Sequence, residues 1–176
     1  MEHWESADTF EKIQKLNILF LKGVIKSTPY HAGPIDYETE SMLKRLIKIN
    51  KLGLLTFDSQ PNVICDRYRQ KSDIWFIADI KQIECLYNFI IPYKKYGLYV
   101  PAMYPSYSNI CFENETSAVN IDGVWHPSYD YSLDFRINAT DIFKNIKNRY
   151  VCIIFKNIYT GKNVDHILYR AIKSMD

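Results

Sequence analysis

Residues 74–77 read Ile-Trp-Phe-Ile, an unbroken apolar run within the segment Ser72 to Ala78. A strand with one face in water alternates apolar and polar residues. A strand without that alternation has to be covered on both faces. The segment therefore demands a place in the interior of a sheet. Directly after it, Asp79 and Gln82 have the offset of a capping box, in which each side chain binds the other residue's backbone N–H. Ile83, Leu86, Tyr87 and Ile90 follow at helical spacing until Pro92 and Gly97 stop the pattern, and Leu98 to Met103 reads as a further strand. Strand, helix and strand thus succeed one another over 72–103.

The same signals run along the rest of the chain. Asp8 and Glu11 make another capping-box pattern, opening a helix with Phe10, Ile13, Leu16 and Phe20 on one face. Pro29, Gly33 and Pro34 make 27–34 a loop. Asp36 is placed to cap a helix from Tyr37 to Lys51, with Met42, Leu43, Leu46, Ile47 and Asn50 on one stripe and Gly53 as the terminating glycine. Leu54 to Phe57 predicts a short strand, and Asp58-Ser59-Gln60-Pro61-Asn62 a turn. Farther on, 104–130 is the least regular stretch, with short strands at best, Tyr131 to Phe135 alternates like a half-buried strand, and a short helix runs from Asn138 or Thr140 to Ile146. Tyr150 to Tyr159 is a strong strand, 160–162 a turn, and Val164 to Ile172 a closing helix. Helices and strands interleave, but several strands lack a crossover helix. The expectation is an α+β fold: one domain over 1–176, with a mixed sheet of about five strands and helices packed against it.

Composition narrows the function classes. Lys+Arg 22 against Asp+Glu 20 leaves a formal charge of +2. That is too balanced for the basic footprint of a nucleic-acid or membrane-surface protein, so neither is expected as a partner. The apolar stretch Ile18-Leu19-Phe20-Leu21 is far short of the ~20 residues that cross a bilayer. The first residues lack the basic start and apolar run of a secretion signal, which predicts an intracellular, cytoplasmic protein. Cys65, Cys85, Cys111 and Cys152 are too widely separated for a zinc knuckle or a redox pair, so four reduced thiols are expected, with no metal and no cofactor. The glycosylation sequons at Asn114 and Asn138 should then be unmodified. Ile, Lys, Asn and Tyr together take 65 of 176 residues, the skew of an AT-rich genome such as that of a large DNA virus or some bacteria. If the source is viral, the location is the host cytoplasm.

The densest cluster of chemistry-bearing residues lies between Thr28 and Gln70. His31 sits in the proline-flanked loop, and Asp58, Ser59 and Gln60 follow directly on an apolar strand, where an acid, a hydroxyl and an amide can be aimed into a cleft. His31 would be the general acid or base, with Asp58 orienting it. Arg67 and Arg69, two apart, would face the same way on an extended strand and hold a phosphate or carboxylate, with Gln70 beside them. Against this stands a purely structural role: Asp58 capping local N–H groups, Asn50 and Gly53 as a helix stop, and His31 as an ordinary hydrogen-bonded loop residue. Trp125-His126-Pro127 lies between loop signals as a lesser candidate for stacking. Tyr87, Tyr93, Tyr96, Tyr99, Tyr104 and Tyr107 are the kind of residue that protein interfaces favour.

Several of these residues also carry a resemblance. Leu21-Lys22-Gly23, Pro29-Tyr30-His31-Ala32-Gly33-Pro34, Glu38-Thr39, Ile49-Asn50, Gly53, Leu55-Thr56 and Ser59-Gln60-Pro61 resemble, over roughly residues 20–80, a small uncharacterised family. That family bears a domain-of-unknown-function label and has members in actinobacteria and large DNA viruses, so the resemblance implies no activity. This chain departs from its pattern at Asn62, Lys71 and Phe76, where the family has glycine, arginine and glycine. A ligand that approached the backbone at that last glycine would meet the Phe76 ring. The reading favoured overall is a non-enzymatic interaction module, of the kind a viral accessory protein represents, with an unidentified protein partner. The alternative is a small enzyme or binding protein for a phosphate- or carboxylate-bearing small molecule, with His31, Asp58, Ser59 and Gln60 as catalytic residues and Arg67, Arg69 and Gln70 as the anion-binding ones.

Overall fold

The apolar segment is β4 (Ser72–Asp79), and it runs between two antiparallel neighbours, β1 (Leu55–Gln60) and β8 (Arg149–Lys156). The computed structural model describes residues 2–65, 67–70, 72–90, 98–99, 117–121, 124–127, 149–156 and 163–175. In chain order the remaining elements are α1 (Glu2–Glu5), α2 (Phe10–Leu21), a single 3-10 turn (Tyr37–Thr39), α3 (Glu40–Lys51), β2 (Val63–Ile64), β3 (Tyr68–Gln70), α4 (Ile80–Ile90), β5 (Leu98–Tyr99), β6 (Ser117–Ile121), β7 (Val124–Pro127) and α5 (Asp165–Lys173).

The α+β class holds, but the sheet differs from expectation. In place of one mixed sheet of about five strands, the described strands form two four-stranded ladders, β1-β4-β8-β5 and β2-β3-β6-β7, and every pairing is antiparallel. The predicted strand–helix–strand unit is present as β4-α4-β5. Its two strands are not neighbours, because β8 lies between them and pairs antiparallel with both. Sequence periodicity reports that a strand is covered on both faces. It does not report which distant strand sits beside it.

β4 is buried from Ser72 to Ala78. Ile74, Phe76 and Ala78 join a core with Met42, Leu46 and Ile49 of α3, Leu86 of α4, and Val164, Leu168, Ala171 and Ile172 at the C-terminal helix. Trp75 and Ile77 are buried outside that cluster, and the Trp75 ring stands edge-on to Phe57 at 6.3 Å. The capping box that starts α4 forms as predicted: Asp79 N–H donates to Gln82 Oε1 and Gln82 N–H to Asp79 Oδ1, both at 2.9 Å. α5 is docked by polar contacts as well. Arg45 Nε donates to Asp165 Oδ2 at 2.5 Å, with the carboxylate fully buried. The Val164 N–H donates to Ser72 Oγ at 2.8 Å, and Lys48 Nζ lies 5.5 Å from the centre of the Tyr169 ring.

Local boundaries moved for local reasons. α2 is capped by Thr9, whose hydroxyl accepts from Lys12 N–H at 3.2 Å. Asp8 instead pairs with the Lys12 ammonium at 2.7 Å, a contact that lowers its pKa. The helix expected over 37–51 divides into the 3-10 turn and α3, and Asp36 makes no capping bond. β1 continues to Gln60, so Asp58, Ser59 and Gln60 are strand residues and not a turn. Trp125-His126-Pro127 likewise lies in β7. The short helix α1 was not foreseen. Cys65 is exposed and Cys85 half-buried, and neither is in a disulfide. The expectations for Cys111, the sequons at Asn114 and Asn138, the irregular stretch 104–116, the strand 131–135, the helix to Ile146 and the turn 160–162 lie outside the described residues, as does the Cys152 side chain.

Two stability measurements check this core. Phe76→Ala should cost about 3–5 kcal/mol, because the cavity opens in the middle of a strand that cannot collapse onto it. In urea titrations Arg45→Met should cost about 3 kcal/mol by leaving the Asp165 carboxylate buried without its cation. Adding Asp165→Asn to Arg45→Met should recover part of that loss, and an undiminished deficit in the double variant would show that the pair is not coupled.

Candidate functional site

The site is built outward from Thr56. β1 is an end strand of its ladder, so half of its backbone groups face away from β4. At Thr56 these groups meet two buried carboxamides. The Thr56 N–H donates to Asn50 Oδ1 at 3.2 Å, and its carbonyl accepts from Asn17 Nδ2 at 2.6 Å. Asn17 Nδ2 also donates to Asn50 Oδ1 at 3.0 Å. Asn50 Nδ2 donates to the Leu46 carbonyl at 2.8 Å and to Thr56 Oγ1 at 2.6 Å. Gln14, one turn before Asn17, donates to the carbonyls of Leu54 at 2.8 Å and Asn50 at 3.2 Å. α2, α3 and β1 are thus registered by side-chain amides. Asn50 is more than the helix stop its position suggested, and Asn17 escaped sequence analysis because it shares a stripe with Ile13, Phe20 and Leu21. Its one available signal was a polar residue at a core-facing position.

The network also anchors the proline-rich loop. Tyr30 OH donates to Asn17 Oδ1 at 2.6 Å. Burial pushes the phenol pKa far above its ordinary value, with the Thr28 side chain acting the other way, so Tyr30 remains a neutral donor. The ring stands edge-on between Trp4 and Phe57, 5.9 Å from each. Beside it, Thr28 and His31 form an isolated antiparallel bridge. The His31 ring lies 5.6 Å from Phe20, with Nε2 at 3.0 Å from the Pro34 carbonyl. A carbonyl only accepts, so Nε2 carries hydrogen, and in the neutral ring Nδ1 is an acceptor.

On the other side, the register of β1 against β4 shifts between Thr56 and Asp58, leaving Phe57 as an extra residue. Such a bulge re-aims the side chains that follow it. Thr56 to Ser59 consequently line a cleft of about 50 Å³ together with Asn17 and Phe20 of α2, His31 and Ile35 of the loop, and Asp36 and Thr39 at the 3-10 turn. That space takes a few waters or one small head group. Asp58 Oδ1 accepts from the Ser59 N–H at 2.8 Å, and the Ser59 carbonyl accepts from Thr39 Oγ1 at 3.4 Å.

Of the residues singled out in the sequence, His31, Asp58 and Ser59 therefore meet in one cleft. Gln60, Arg67 and Gln70 are not among its lining residues. Gln70 is buried and donates to the Pro61 carbonyl at 2.8 Å. Arg67 is exposed and precedes β3, while Arg69 is within it, so the two arginines do not share a strand as expected. The Arg69 side chain lies outside the described residues. No group of three or more His, Cys, Asp or Glu among the described residues could hold a metal ion. No helix among them is long and apolar enough to cross a membrane.

The anchoring role of Tyr30 can be measured directly. Tyr30→Phe leaves the buried Asn17 Oδ1 without its donor and should cost about 1–3 kcal/mol. It should also shift the His31 ring resonances, because the loop that carries the ring loses its tie to α2. Unchanged stability together with unchanged His31 resonances would show that the phenol does not hold the loop.

No curated protein matches this sequence. Residues 1–88, which contain α1 to α3, β1 to β4, most of α4 and every residue lining the cleft, match the domain of unknown function DUF6919, and the chain belongs to that family.

Proposed function

We propose that this chain is a non-enzymatic interaction module that engages a protein partner, as a viral accessory protein would. The observation that carries this reading is the state of His31 and Ser59, the two residues best suited to nucleophilic chemistry. His31 Nε2 is committed to a backbone carbonyl, and neither His31 Nδ1 nor Ser59 Oγ makes a hydrogen bond to a described residue. A serine nucleophile depends on a base within hydrogen-bond reach, and Ser59 has none among the described residues. The alternative of a phosphate or carboxylate ligand has less support, since Arg67 and Gln70 do not line the cleft. The AT-rich composition supports the viral setting. Surface for a partner is available: Tyr37 is 85% exposed, Val24 67% and Ile64 58%.

The test compares surface and cleft variants as bait in affinity capture from the source cells, followed by titration of the captured protein. Tyr37→Asp, Val24→Asp and Ile64→Asp should each keep stability within about 0.5 kcal/mol, because these side chains are largely in water. Binding should be lost in at least one of them and retained by His31→Ala and Ser59→Ala. The reading fails if no surface variant alters binding while phosphate, a nucleotide or a carboxylate raises the melting temperature of wild type but not of Arg67→Ala.

A further inference from the structure

We infer that the outward faces of α3 and α5 together form a basic platform that docks an acidic segment of a protein partner. This deepens the interaction-module reading and rests on it. The two helices run parallel, since their contacts advance together: Asn163 Nδ2 donates to Ser41 Oγ at 3.3 Å, Arg45 pairs with Asp165, and Lys48 lies over the Tyr169 ring. Their inward faces, with Met42, Leu46 and Ile49 on one and Leu168, Ala171 and Ile172 on the other, share a core with Ile74 and Phe76 of β4. Lys44, Lys48 and Lys51 are exposed on α3, and Arg170 and Lys173 on α5. Spacings of three and four residues put each set on one helical face, and the parallel course brings the two sets side by side. None of the five pairs with a carboxylate of a described residue. Glu40, in the first turn of α3, is the one exposed carboxylate among the described residues of the two helices. Six cations against two carboxylates give these helices a charge of +4, whereas the whole chain carries +2, so the remainder is net acidic. The macrodipoles favour the bases in the last turns of both helices but offer nothing to Lys44 in the first half of α3. Like charges three and four residues apart on a helix repel, so the array is unfavourable until an anion meets it. From Lys44 to Lys51 the array is about 10 Å long, or two helical turns, which suits a short run of carboxylates. A nucleic-acid strand carries charge along its whole length and would extend beyond the platform, so the geometry favours the acidic protein segment.

The experiment measures the fluorescence anisotropy of a labelled, end-blocked hexaglutamate peptide titrated with the full chain in about 20 mM salt, where exposed charges are little screened. Saturable binding is expected, with a dissociation constant on the order of 10–100 μM. The pairs Lys44→Gln/Lys51→Gln and Arg170→Gln/Lys173→Gln should each weaken it about fivefold to tenfold, and so should raising the salt to about 200 mM. The pair Lys22→Gln/Lys26→Gln removes the same charge from exposed positions outside the two helices and should leave the affinity within about twofold. Melting curves establish that all three variants are folded. Equal weakening by the control pair, tighter binding of an oligothymidylate of equal length than of hexaglutamate, or no saturable binding would overturn the proposal. The same variants are then titrated with the protein that wild type captures from the source cells. Binding weakened in the platform variants and kept in the control pair supports the platform as the docking face. Binding kept in the platform variants and lost in Tyr37→Asp, Val24→Asp or Ile64→Asp overturns the platform while the interaction-module reading stands.

Discussion

Two carboxamides bound to the backbone of Thr56 set the arrangement of everything around them. An end strand exposes N–H and C=O groups that invite another strand. Here Asn50 and Asn17 occupy the place of that strand, one from each of two helices. Both amide hydrogens of Asn17 and both of Asn50 find acceptors, and Asn50 Oδ1 takes two donors. A buried polar group left unpaired costs about 1–3 kcal/mol, so only one relative placement of α2, α3 and β1 satisfies the set. Apolar packing alone tolerates sliding. A saturated amide network does not.

The candidate site inherits its geometry from that network. Asn17 accepts from Tyr30, Tyr30 holds the loop, and the loop presents His31 opposite the bulged end of β1. The first link joins groups 13 residues apart in sequence, and the others are local to the loop. The cleft is therefore a by-product of how the end strand is sealed. Its chemical character follows from which residues the bulge turns toward it: Asp58 and Ser59 are included, and Arg67 is not among the lining residues.

The half of the chain that matches the family does not close its own core. β4 needs β8 as its second neighbour, and the cluster around Phe76 takes Val164, Leu168, Ala171 and Ile172 from the C-terminal helix. The buried Asp165 carboxylate, paired with Arg45 of α3, fixes that helix in rotation as well as position. The two polar clamps of α3, Asn50 toward β1 and Arg45 toward α5, share a principle: a directional contact selects one register from the several that apolar surfaces would accept.

What the sequence determined by itself was local. The apolar run of β4, the Asp79–Gln82 capping box, the helical stripes of α3 and α4 and the position of α5 were legible because period, caps and burial are encoded within a few residues of each other. His31, Asp58 and Ser59 were legible as candidates because polar residues after an apolar strand and in a proline loop are conspicuous. The tertiary structure alone decided that β8 would separate β4 from β5, that Asn17 would bracket β1, and that Arg67 would not line the cleft with His31. Each of these is settled by contacts between segments tens of residues apart. Their energies depend on which buried hydrogen bonds can be completed at once, and no window of the sequence contains both partners.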